Sequence, residues 1–218
     1  MLLEICLIVV LSIGVAALFW LMVRQSSEKI VYQYRKIAQQ LKVDLTEPTP
    51  QLAGFIRAEP FVHGVYRQRE LSISVPGKGL QNTRQIETII KVQADNESFT
   101  WQITAAGLLG GLRQRDSGSK QRWLSGDSLF DSAIDLRTND DVRLARIFHR
   151  DRRALIATVL KDSKGTIALR GGVLSFSEFG LIADDAKRER FLQLTELICD
   201  LAEAVEGRQG LALKTDVI

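Results

Sequence analysis

Only two cysteines, Cys6 and Cys199, occur in the 218 residues, and only two histidines, His63 and His149. Cys6 lies in an apolar N-terminal run, so a disulfide to Cys199 would have to form at a membrane; a reduced compartment is the simpler expectation. No Cys, His or Glu accompanies either histidine at metal-ligand spacing, which argues against a zinc site. Neither charge sign is in excess: 29 basic and 26 acidic residues give a net charge of +3. Nucleic-acid binding calls for a strongly basic face and is not expected. The phosphate-loop pattern G-x-x-x-x-G-K-[ST] is missing, although "PGKGL" and "RGG" supply glycines. No cofactor and no metal is implied. With 45% hydrophobic and 25% charged residues, usage is that of a globular protein with one sizeable domain or two small ones.

What the chain does have is one long apolar run. Ile5 to Val23 reads "ICLIVVLSIGVAALFWLMV", without a charge. As a helix rising about 1.5 Å per residue it covers roughly 28 Å, close to the ~30 Å hydrocarbon core of a bilayer. A helix also satisfies its own backbone N–H and C=O groups, as lipid requires. A cleaved signal peptide would have a basic n-region, a shorter run and an A-x-A-like site. Here Glu4 precedes the run, bulky "LFWLMV" leads into Arg24, and no lipoprotein pattern precedes Cys6. An uncleaved anchor is expected, in contact with the lipid bilayer through residues 5–23. Arg24, Lys29, Arg35, Lys36 and Lys42 all follow the run and no basic residue precedes it. Positive charge stays inside, so the expectation is a single-pass inner-membrane protein with its N-terminus out and its C-terminal domain cytoplasmic.

Beyond the anchor the patterning predicts an α+β fold, with an antiparallel sheet and C-terminal helices. Ile30, Tyr34, Ile37 and Leu41 mark one face of a juxtamembrane helix over 24–45. That stripe is too short for a coiled coil, so packing on its own domain is favoured over a homodimer seam. "TEPTP" at 46–50 is predicted to break the helix and act as a linker. Residues 51–207 form the domain, and 208–218 a loose tail. Period-two alternation marks strands at "FVHGVY", "LSISV", Ile86–Val92 and Phe99–Ile103. "ADNES" reads as a hairpin signal between the last two. The segment 107–121 is read as loop. Helices are predicted at "DDVRLARIFH", facing inward through Val142, Ala145 and Phe148, and at "RRALIATVLK", through Leu155, Ile156, Val159 and Leu160. A Gly171–Gly172 hairpin sets Ile167 and Leu169 opposite Leu174 and Phe176. A last helix, capped by Asp184 and stopped at Gly207, presents Phe191, Leu194, Ile198, Leu201 and Val205.

Few residues invite chemistry. Asp127 and Asp131 in "SGDSLFD" form a carboxylate pair that could ligate a cation or act as acid and base. Ser-Gly-Asp is also turn composition, so a structural turn is the simpler reading, with Phe130 starting a strand. "SGSK" matches Ser-x-x-Lys, with Ser117 as nucleophile and Lys120 as base, but lacks the companion motifs of the hydrolases that use it. Arg143, Arg146, Arg150, Arg152 and Arg153 form a basic stretch diluted by Asp140, Asp141 and Asp151. A solvated helix face is the bland reading; contact of Arg143, Arg146, Arg150 and Arg153 with an anionic leaflet is the sharper one.

"YRKIAQQLKVDL", "PQLAGFIR", "HGVYRQRELSI" and "SGDSLFDSAIDL", taken together over residues 32–177, resemble an uncharacterised group of bacterial single-pass membrane-anchored domains. An amphipathic helix, a glycine-containing hairpin and a G-D-x-x-F-D segment follow one another there in this order. The resemblance implies a bacterial source and a cytoplasmic α+β domain, and brings no catalytic residues with it. The expected function is a membrane-tethered, non-enzymatic interaction or scaffold domain with an unidentified protein partner. The alternatives are a membrane-anchored hydrolase and a sensor of anionic lipid surfaces.

Overall fold

The computed structural model describes residues 2–49, 59–76, 86–106 and 120–207. Helix α1 runs unbroken over Leu2–Leu41. It is long and apolar enough to cross a membrane, with a mean hydropathy of 2.8 in its most apolar stretch, none of which is buried in the protein. Further along, Ile30, Tyr34, Ile37 and Leu41 are buried. The same helix is therefore a bare apolar rod at one end and a core element at the other. It ends short of the prolines: Lys42 takes a left-handed φ of 55°, and the Val43 N–H donates to the Ala38 carbonyl at 3.0 Å. That six-to-one bond is a Schellman closure, with lysine where glycine is usual. The expected break at "TEPTP" is corrected accordingly.

The strands are β1 (Asp44–Thr46), β2 (Phe61–Tyr66), β3 (Arg69–Ser74), β4 (Glu87–Gln93), β5 (Trp101–Ala105), β6 (Gln121–Arg122), β7 (Ile134–Thr138), β8 (Thr166–Arg170) and β9 (Val173–Phe179). The further helices are α2 (Ser128–Ala133), α3 (Asp141–Ile147), α4 (Arg150–Ser163) and α5 (Asp185–Val205). The fold is α+β, and the strands form one antiparallel sheet in the order β1-β2-β3-β4-β9-β8-β5-β7-β6. Its register lines up Val62, Ile73, Ile90, Phe176, Ile167, Ile103 and Leu136 side by side from β2 to β7. All of them are buried, and they share one core with the stripes of α1, α4 and α5. Residues i and i+2 of a strand share a face, which is why alternation along the chain marked Ile73, Ile90 and Ile103 as inward, while the pairing that sets them side by side is seen only in the fold.

Two two-residue hairpins among the described residues hold positive φ at their turn residues, Arg67–Gln68 between β2 and β3 and Gly171–Gly172 between β8 and β9. Such turns match the right-handed twist of the strands they join. The β8–β9 pairing is the expected one, Ile167 with Phe176 and Leu169 with Leu174. Helix α5 carries the predicted stripe, Phe191, Leu194, Ile198, Leu201 and Val205, all buried. Its Asp184 cap accepts from the Lys187 N–H at 2.7 Å.

Several local readings change. "ADNES" does not join a hairpin, because β9 and β8 lie between β4 and β5. Asn96 instead accepts from the Phe99 N–H at 3.2 Å, and Ala94 N–H donates to Gly172 O at 2.8 Å, so the chain crosses the tip of the β8–β9 hairpin. In α3, Val142 and Ala145 are exposed, while Leu144, Ile147 and Phe148 are buried. The helix stops at Ile147, and Phe148 has non-helical φ −96° and ψ 61°, so a 3.6-residue period cannot be continued through it. In α4, Ile156 and Leu160 are buried but Leu155 is exposed. The stretch 107–119, read as loop, and the tail 208–218 lie outside the described residues.

Candidate interaction surface

The Asp127–Asp131 pair folds its own backbone. Asp127 is the N-cap of α2: Oδ1 accepts from Leu129 N–H at 3.1 Å and Phe130 N–H at 3.3 Å. Asp131 reaches back from within the helix. Its Oδ1 accepts from Ser125 N–H at 2.9 Å and Ser125 Oγ–H at 2.8 Å, and its Oδ2 from Gly126 N–H at 3.1 Å. The two carboxylates thus satisfy N–H groups on both sides of the helix start, a reciprocal arrangement akin to a capping box. Gly126 supplies the φ of +79° that the reversal needs. The knot is tied down by Arg153, donating to Ser125 O at 3.0 Å, and by Arg122, donating to Asp131 O at 2.9 Å. Phe130 therefore does not start a strand: it lies buried inside α2. The cap starts a helix at Ser128, which the turn composition alone did not reveal.

The other nominated residues are dispersed. Ser117 lies outside the described residues; burial and nearby Arg170 hold the Lys120 ammonium below its ordinary range. His63 sits on β2 with Nε2 3.0 Å from Thr46 Oγ1, and His149 precedes α4 without a side-chain capping bond. Among the described residues no group of three or more His, Cys, Asp or Glu side chains could hold a metal. Arg143 donates to Val205 O at 2.8 Å and lies over the Phe99 ring at 4.8 Å. Arg153 serves the Asp131 knot, while Arg146 and Arg150 are exposed.

Two arginines that spacing did not single out fasten the sheet to α5. Arg67 NH1 meets Asp200 at 2.7 Å and Glu196 at 3.1 Å, and NH2 meets Glu203 at 2.7 Å. Tyr66 adds an O–H bond to Glu196. Arg69 is paired with Glu206 through both of its terminal nitrogens, and Glu206 also accepts from Asp95 N–H at 2.9 Å. The partners are more than 110 residues apart in sequence, so no local pattern could have announced them.

Opposite the buried row lies a second row of the same register: His63, Ser72, Lys91, Ser175, Ala168, Gln102, Arg137 and Arg122. All are partly or fully exposed. The next row, Ser74, Ile89, Ser177, Thr166 and Thr104, is mostly small and hydroxylated. One sheet face thus carries the core, and the other presents polar side chains, both long and short. Near Gly171–Gly172 this open face deepens into a groove of about 720 Å³, with His63, Glu70, Ser72, Lys91 and Glu97 among its lining residues. Both charge signs converge there, which suits a polar partner surface more than an apolar small molecule.

No family model matches the chain, and no curated protein matches its sequence. Among solved structures, the fold is similar to the crystal structure of the mycobacterial trehalose monomycolate transport factor A, TtfA, with a TM-score of 0.54 at 13% identity. The match covers 80% of this chain and 95% of that one. At this identity the likeness is one of fold.

Proposed function

We propose that the protein is a bacterial inner-membrane protein, held by α1 with its N-terminus outside, whose cytoplasmic α+β domain works as a non-enzymatic interaction or scaffold module. The observation that carries this reading is the sheet itself: one face is closed by the core, and the other is broad, polar and uncovered by any described helix. A hydrolytic role is disfavoured because both carboxylates of the Asp127–Asp131 pair are engaged by backbone N–H groups. A transport factor with a similar fold agrees with an accessory role at that coarse level. The partner is a protein that meets the open face, with Lys91 and Gln102 at the contact.

Photo-crosslinking residues placed at Lys91 and Gln102 in the native membrane test this, with exposed Ala154 on α4 as the control. Discrete adducts from the sheet positions and none from Ala154 are expected. Absence of adducts from both sheet positions, or a metal-dependent hydrolysis lost in Asp131→Ala, overturns the proposal.

A further inference from the structure

The exposed Phe, Tyr and Trp side chains of the described residues, outside the apolar run, are Tyr32, Phe61 and Phe179. They come from α1, β2 and β9, yet all lie at one end of the domain. Gln33 of α1 donates to Asp185 at 3.2 Å and accepts from Arg188 at 2.9 Å, so α1 meets α5 at its first turn. From that turn Lys187 donates to Phe179 O at 2.9 Å, and Gly180 N–H donates to Ile86 O at 2.8 Å. The ends of β9 and β4 therefore flank α1 where it joins the domain. Phe61 opens β2 beside the last residues of β3. Phe179 is 57% exposed, Ile86 43% and Phe61 37%.

The reading of α1 as a span turns this rim toward the bilayer. Arg24 lies over the Trp20 ring at 5.4 Å, an aromatic and basic pair of the kind found at the membrane–water boundary. Gln33, where α1 meets the first turn of α5, comes about 13 Å further along the helix, while the headgroup layer on each side of the hydrocarbon core is about 5–7 Å thick, so the rim is the part of the domain that faces the headgroups. Helix α1 is continuous through this interval and packed into the core beyond it, so one helix carries the domain directly to the bilayer surface. The basic stretch is at the other end: Arg143 touches Val205 at the last turn of α5, roughly 30 Å of helix away from Asp185.

We infer that the rim of Phe61, Ile86 and Phe179 rests on the lipid headgroups, so that the sheet stands upright on the membrane with its strands running away from it. Aromatic rings suit this layer, having an apolar body that packs among acyl-chain ends. The inference rests on the span proposed above. It gives the open face a fixed orientation, accessible to a partner approaching along the membrane.

Spin labels on the full chain in phosphatidylcholine–phosphatidylglycerol vesicles test it. The background is Cys6→Ser; Cys199 needs no change, since it is buried and burial pushes its thiol up to about 12. Labels go at Leu11→Cys in the span, Phe61→Cys and Phe179→Cys on the rim, and Val142→Cys at the far end. Collision with a water-soluble nickel chelate is expected to be several-fold lower at both rim positions than at Val142, with collision with oxygen raised. Simple burial in protein would lower both. Rim labels as accessible to the chelate as Val142, with Leu11 protected, overturn the contact and leave the span intact. A chelate-accessible Leu11 overturns the span, and the inference with it.

Discussion

Asp131 accepts three hydrogen bonds from Ser125 and Gly126, and Asp127 accepts two from the first turn of α2. Loss of an N-cap costs about 1 kcal/mol, so Asp127→Ala is expected to lower the unfolding free energy by ~1 kcal/mol. Asp131→Ala is expected to cost more, because it frees donors on the loop as well as unpinning the helix. Chemical denaturation measures both, and Mg²⁺ or Ca²⁺ should leave either melting temperature unchanged. A second prediction concerns alkaline pH. Burial pushes the Cys199 thiol and the Tyr66 phenol up to about 12, the bond to Glu196 adding to the effect on Tyr66. A group whose pKa is raised on folding stabilises fully below its unfolded pKa, and that contribution fades as pH climbs through the folded value. Stability should therefore fall between about pH 9 and 12, and Cys199→Ala should flatten that fall. An unchanged slope in Cys199→Ala would show that the thiol titrates alike in both states.

At the scale of elements, α5 is the bar across the sheet. Leu201 is fully buried, and truncating such a side chain to alanine costs about 2–5 kcal/mol. Leu201→Ala should lose a large fraction of a stability of roughly 5–15 kcal/mol. From periodicity alone Glu203, off the apolar stripe, would be a silent position. The structure gives it a 2.7 Å bond to Arg67, so Glu203→Ala should cost measurably more than replacement of the exposed Arg146 on α3, Arg146→Ala. A thermal melt comparing the three decides the order. The stripe of α5 was legible because its spacing is local. Its ion pairs were not, since Arg67 and Glu203 meet only when the β2–β3 hairpin docks on the helix.

The whole molecule depends on α1 in two ways. Ile30, Tyr34, Ile37 and Leu41 belong to the core, and each buried side chain of this kind contributes about 1.5–3 kcal/mol. A fragment beginning at residue 45 lacks all four and should not unfold cooperatively, whereas one beginning at residue 28 should; circular dichroism on both fragments tests this. A reporter fused after Ile218 should be active in the cytoplasm, given that the basic residues flank only the C-terminal side of the apolar run. Activity on the opposite side of the membrane would reverse the proposed orientation.

The sequence by itself determined what depends on neighbours along the chain. The apolar run from Ile5 to Val23, the stripe of α1, the period-two strands, the Gly171–Gly172 hairpin and the stripe of α5 all rest on local length, period or turn composition. Tertiary structure decided what depends on residues far apart. It inserted β9 and β8 between β4 and β5, so that the "ADNES" segment crosses rather than turns. It set Arg69 against Glu206, and it gathered Phe61, Ile86 and Phe179 at one end of the sheet. The Asp127–Asp131 pair falls between the two. Its donors are within six residues, yet the outcome, a helix cap with Phe130 in the core, belongs to the fold. Local composition allows both a turn before a strand and a helix cap, and only the folded chain shows Phe130 buried within the helix that Asp127 caps.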